Sequence, residues 1–136
     1  WFIVDFEGDV RRPPSERRIK RSALRDVCAM MRSFHYIAHA VSFGHVPGIS
    51  PEAHPLRELH AWAELWHRWV SACFVHAYLR EAGNAEFVPQ NREEFLTLAR
   101  THLLEKAFME IEHELENRPE WVRIPVNGIL QMLESA

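Results

Sequence analysis

Cysteine and glycine are scarce in this chain of 136 residues, with two of the former and five of the latter. Cys28 and Cys73 sit on segments with helical patterning, so two reduced, buried thiols are expected rather than a disulfide, and with them a cytoplasmic setting. The glycines build no phosphate-cradling loop, and no serine or cysteine nucleophile is arranged for catalysis. No apolar run approaches the ~20 residues of a membrane-spanning helix, which argues against a membrane partner. A basic-then-apolar leader is lacking as well. Self-similarity at a fixed period is absent, which excludes a solenoid.

What is present describes a globular chain. Hydrophobic residues make up 47 % and charged residues 26 %, and a chain of this length can bury roughly two thirds of its unfolded surface in one domain. The net charge of −3 is unevenly spread, because residues 1–25 hold seven Lys/Arg against four Asp/Glu while the remainder hold nine against fifteen. That asymmetry fits an anion-facing segment on an acidic body, and fits as well a solvated loop in which Arg17, Arg18, Lys20 and Arg21 face water. The acidic remainder, with no recognisable binding motif, argues against a nucleic-acid partner.

Trp1-Phe2-Ile3-Val4 reads as a buried strand running into the acid-rich turn Asp5-Phe6-Glu7-Gly8-Asp9. Asp5, Glu7 and Asp9 alternate, so an extended backbone points them to one side, where a hard cation such as Mg²⁺ would relieve their repulsion. Pro13-Pro14 predicts an extended loop. Helical periodicity then predicts four helices, near residues 22–42, 56–82, 92–117 and 125–134. Ser22 is the expected cap of the first, whose apolar stripe runs through Leu24, Val27, Cys28, Met31, Phe34, Ile37, Ala38 and Val41. The second carries Trp62, Trp66 and Trp69 in a stripe wide enough to predict packing on more than one side, and Gly83 stops it. Asn91 with Glu94 makes a capping box for the third, Pro119 breaks it, and Pro125 suits the first turn of the last. One strand alone has nothing to pair with, so the expected architecture is mainly α: a strand and metal loop over 1–9, a helical body over 22–136, and the partner strands of a larger α+β domain upstream.

Three side-chain constellations stand out besides the acidic turn. His35 and His39 are four apart on one helix, a chelating spacing, but no Glu follows in the zinc-protease pattern and no third ligand is evident. His60, His67 and His76 read as boundary residues at the polar edge of the tryptophan-rich helix. Glu110, Glu112, Glu114 and Glu116 spread over different faces of the third helix, and Trp121 lies just past its break. Carboxylates and an aromatic at a helix end are also what carbohydrate sites use, since acids bind paired hydroxyls and aromatic faces stack on sugar rings.

Two separated blocks resemble a known family. Ile3 to Asp9, Arg17 to Val27 and Met31 to Phe34 form the first; Leu104-Glu105-Lys106-Ala107, Glu114-Leu115, Asn117 to Val122 and Ile124-Pro125 form the second. Both are similar to bacterial maltokinases, which phosphorylate maltose with ATP to give maltose 1-phosphate and are frequently fused to trehalose synthase. The resemblance implies the kinase fold shared with aminoglycoside phosphotransferases, of which this chain would be the second half of the C-terminal lobe. It implies Mg²⁺ and ATP, with Asp5 holding the metal and Glu7 assisting, and Asp26 as the buried acid that braces the catalytic loop. Glu114, Asn117, Arg118 and Trp121 would lie where the lobe meets the sugar. No catalytic base falls within the chain: the base, the phosphate-binding Lys and the nucleotide loop would precede residue 1. Met109 and His113 stand where the family usually has tyrosines, and Glu116 where it has Asn, which leaves the sugar open. The alternatives are a non-catalytic kinase-like appendage of trehalose synthase and a helical interaction module.

Overall fold

The computed structural model describes residues 13–43 and 56–134. Within them every regular element is helical: α1 (Pro14–Arg17), α2 (Leu24–Ser42), α3 (Leu56–Ala82), α4 (Arg92–Asn117), a 3₁₀ turn (Pro119–Trp121) and α5 (Arg123–Glu134). The strand expected over residues 1–9 lies outside the described residues, as does the loop between α2 and α3.

Local chemistry sets the helix ends. The Ser22 hydroxyl accepts the Leu24 N–H at 3.3 Å, satisfying a donor at the start of α2. Gly83 takes φ +54°, a left-handed conformation open to glycine, and its N–H closes on the Leu79 carbonyl at 3.0 Å to end α3. The Asn91 side chain accepts from the N–H groups of Glu93 and Glu94 at 2.8 and 3.2 Å, capping α4. Pro119 forces Arg118 out of the helical region to φ −150°, ψ 70°, and α4 stops there. α5 opens two residues before the expected Pro125, which falls within its first turn.

α2 is the hub, packed against α3, α4 and α5. Contacts pair residues 25, 32 and 36 of α2 with 105, 110 and 114 of α4, so these two helices run in the same direction. Phe43 meets His60 and His35 meets His67, so α3 runs antiparallel to α2. Leu24, Val27 and Cys28 form the apolar core with Ala107 of α4 and Ile124 and Pro125 of α5.

Two packing expectations are corrected. The buried stripe of α2 does not stay apolar, because it continues through Arg32, His35, His39 and Ser42 while Ile37 is left 56 % exposed. Flanked by helices on several sides, α2 buries whatever faces them, and its second half presents polar side chains there. α3 packs chiefly on α2 and turns Trp62 and Trp69 to solvent, at 67 % and 66 % exposed, so the wide aromatic stripe is not matched by packing on a second side among the described residues. Cys73 is exposed on that outward face, whereas Cys28 is buried as expected.

Candidate functional site

Four glutamates near the end of α4 divide by helical geometry. Glu110 and Glu114, one turn apart, face α2, while Glu112 and Glu116 are exposed. Glu114 is 2 % exposed. Its Oε1 accepts from the Tyr36 hydroxyl at 3.1 Å and from Arg118 Nη2 at 2.8 Å, and its Oε2 accepts from Arg118 Nε at 2.9 Å. This two-point fork carries geometric specificity as well as energy. The Arg118 guanidinium then lies 4.5 Å from the centroid of the Trp121 ring. Burial, with the nearby Glu110 and Glu114 charges, holds the Tyr36 phenol protonated by raising its pKa.

Glu114, Arg118 and Trp121 are thus brought together, while Asn117 is exposed and turned back on its own helix, donating to the His113 carbonyl at 2.8 Å. The same arrangement limits the chemistry of the cluster. The Glu114 carboxylate is enclosed by protein partners, and one face of the Trp121 indole is covered by Arg118. The polar groups that reach solvent here include Asn117, Glu116, Glu120, His113 and the partly exposed Arg118.

Asp26, expected to be buried, is exposed in the first turn of α2, where a negative charge suits the helix N-terminus. Burial, and after it the Asp26 charge, raises the Tyr78 pKa. Asp5 and Glu7 lie outside the described residues. Among the described residues no group of three or more His, Cys, Asp or Glu side chains is disposed to hold a metal ion.

Sequence reasoning paired His35 with His39 but placed His67 at a polar helix edge, and so missed the cluster that the three form. His35 packs ring to ring against His39 at 4.2 Å and against His67 of α3 at 5.1 Å, centroid to centroid. His35 and His39 are buried; the Gln131 side chain of α5 stands against His35, and the Glu64 carboxylate lies 3.8 Å from His39 Nε2. Burial pushes the His39 pKa down to about 4 against the opposing pull of Glu64. It pushes His35 far lower, with the Arg32 guanidinium adding to the effect, and lowers His67 as well. These are neutral imidazoles serving as interior packing. The available signal was register: His35, His39 and Ser42 continue the helical period of Leu24, Cys28 and Arg32.

The chain matches no protein-family model, and no solved structure matches it.

Proposed function

We propose that this chain is the helical portion of a kinase-like C-terminal lobe in an ATP-dependent maltokinase. The reaction is attack of the anomeric hydroxyl of maltose on the γ-phosphorus of ATP, breaking its bond to the ADP oxygen and giving maltose 1-phosphate. The hydroxyl proton passes to a base upstream of residue 1. Asp5 and Glu7 supply carboxylates for the Mg²⁺ that neutralises the phosphates, and the end of α4 around Asn117, Arg118 and Trp121 faces the sugar. A trehalose synthase module is the expected partner, supplying maltose, and the setting is cytoplasmic.

One observation carries this reading. The two sequence blocks that resemble maltokinases are well separated in the chain, yet they meet: Arg25 Nη2 of the first pairs with Glu105 Oε1 of the second, 80 residues on, at 3.0 Å, and Leu24, Val27 and Ala107 are buried. Two parts of one lobe require such a contact. A specific feature also favours the interaction-module reading, namely the outward tryptophans of α3.

The test is the intact protein with ATP, Mg²⁺ and maltose, followed by phosphorus NMR. Maltose 1-phosphate should accumulate, and Asp5→Asn should slow its formation by roughly 10³-fold or more at unchanged helix content. The 136-residue chain alone should give none above blank. An intact protein with no turnover, or one indifferent to Asp5→Asn, would sink the assignment.

A further inference from the structure

α2 is fastened on two sides by different chemistry. Toward α4 the fastenings are carboxylates: Arg25 pairs with Glu105 at 3.0 Å, Arg32 with Glu110 at 2.7 Å, and the Tyr36 hydroxyl donates to Glu114 at 3.1 Å. Toward α3 they are imidazoles and aromatic edges. His35 lies against His67, Phe43 against His60, and His39 Nε2 against the Glu64 carboxylate, while Phe34 meets Trp66 and Phe74 edge-on. α3 packs chiefly on α2, and its Glu64 accepts from Gln131 Nε2 of α5 at 2.9 Å.

We infer that α3 is an acid-released element: protonation of the imidazoles between α2 and α3 parts these two helices while α2, α4 and α5 stay packed together. The groups around the rings of His35, His39 and His67 come from every neighbouring element. Arg32 stands beside them on α2, held by Glu110 of α4; His60, Glu64 and Arg68 belong to α3; Gln131 of α5 stands against His35, and the Met31 backbone against His67. The carboxylate facing His39 and His67 is Glu64, which already accepts from Arg68 and Gln131. Three imidazolium ions packed beside the Arg32 guanidinium would repel one another, and parting α3 from α2 separates them and returns them to water. The α4 side answers acid differently. Carboxylates stay ionised down to about pH 4 and guanidinium does not titrate, so its pairs hold, and His102, 3.4 Å from Glu105, is drawn closer to it when protonated.

The direction follows from proton binding. Packed between the helices, the three rings are kept neutral below the ordinary histidine range by burial, whereas in water they titrate near about 6.5. The parted state therefore binds more protons and gains on the packed state as pH falls. Each imidazole contributes up to about tenfold per pH unit below its solvated pKa, so two of them raise the ratio of parted to packed molecules by about 10³-fold between about pH 6.5 and pH 4.5. The window for a selective release runs from about pH 6 to pH 4, where the carboxylate pairs toward α4 begin to fail as well.

Two pairs of spin labels on the full chain separate release of α3 from general unfolding. Labels on Cys73 and Glu112→Cys report α3 against α4; labels on Ser33→Cys and Glu112→Cys, with Cys73→Ser, report α2 against α4. All three positions are exposed, and Cys28 is buried. Pulsed dipolar spectroscopy from about pH 7.5 to about pH 4 should show the 73–112 distance lengthening and broadening below about pH 6, while the 33–112 distance holds. Glu64→Gln keeps the shape of the side chain and removes its charge, so it should move the opening to higher pH. His39→Leu with His67→Leu should hold the 73–112 distance down to about pH 4; if circular dichroism shows this variant unfolded at neutral pH, the Glu64→Gln shift decides alone. Both distances constant to about pH 4, both lengthening together, or an opening that Glu64→Gln leaves at the same pH would each overturn the inference.

Discussion

α2 and α3 lie side by side and show opposite relations between side-chain character and burial. α2, with 19 residues, touches α3, α4 and α5 and encloses an arginine, two histidines and a serine. α3, with 27 residues and three tryptophans, packs chiefly on α2 and exposes the largest apolar side chains of the molecule. The difference lies in the number of neighbours. A helix flanked on several sides must bury its polar residues too, and they are tolerable inside when paired, as with Arg32 and Glu110, or uncharged, as with the histidines. A helix flanked mainly on one side leaves half of its surface outside whatever that half contains.

Acid should expose the contrast most strongly. In the unfolded chain His35 and His39 titrate near the ordinary pKa of about 6.5, but inside the fold both remain neutral well below it. The unfolded state therefore binds more protons across that interval. The histidines' stabilising contribution is complete above about pH 6.5 and is lost as pH falls toward about 4 for His39 and lower for His35. Each can contribute a slope of up to about 1.4 kcal/mol per pH unit, so denaturant melts at pH 6.5 and 4.5 should differ by on the order of 5 kcal/mol. His35→Leu with His39→Leu should flatten the profile; a wild-type profile already flat over this interval would contradict a neutral interior cluster.

The next largest effect is expected at Arg32, whose Nε and Nη2 lie 2.9 and 2.7 Å from Glu110 Oε2 with both side chains largely buried. Arg32→Ala strands the Glu110 charge and should cost about 3–5 kcal/mol, while Arg32→Met with Glu110→Met should recover much of the loss. Equal stabilities for the single and double variants in a urea titration would mean that the pair is not a unit.

Gly128 of α5 sharpens the same point sterically. A Cβ there would run into the guanidinium of Arg32 and press on the His35 ring. Arg32 is held by Glu110 and cannot swing away cheaply, so Gly128→Ala should destabilise by about 1–3 kcal/mol despite its better helix propensity. A thermal midpoint unchanged or raised would show that the guanidinium yields. The smallest effect should come from the largest side chain. Trp69→Ala should change stability by less than about 0.5 kcal/mol, and a loss above 2 kcal/mol would place Trp69 in a core.

The four long helices were legible in the sequence, whereas α1 (Pro14–Arg17) stands where Pro13-Pro14 predicted an extended loop, because a proline also suits the first turn of a helix. The expected spans 56–82 and 92–117 coincide with α3 and α4, and those near 22–42 and 125–134 differ from α2 and α5 by two residues at their starts. Proline, glycine and capping side chains act over a few residues, so they can be read locally. Which face of each helix is buried was only half legible. Periodicity identified an apolar stripe on α2 but not the polar continuation through Arg32, His35 and His39, because arginine and histidine rank as surface residues until a partner helix is known. At the candidate site, Glu114, Arg118 and Trp121 were identifiable as neighbours at a helix end. That Glu114 would be enclosed by Tyr36 was not, since Tyr36 lies 78 residues away.

The two thiols turn the contrast between α2 and α3 into a clock. Cys28 donates to the Ala99 carbonyl at 3.5 Å, is 1 % exposed, and burial pushes its pKa to about 11. It can be alkylated only during moments when α2 and α4 part, whereas Cys73 stands in solvent and is open to reagent without any helix moving. When reclosing outpaces alkylation, the ratio of the two rates approximates the equilibrium constant for opening the hub, once corrected for intrinsic thiol reactivity. One labelling time course on the unmodified chain thus reports its interior dynamics against an internal standard on the neighbouring helix.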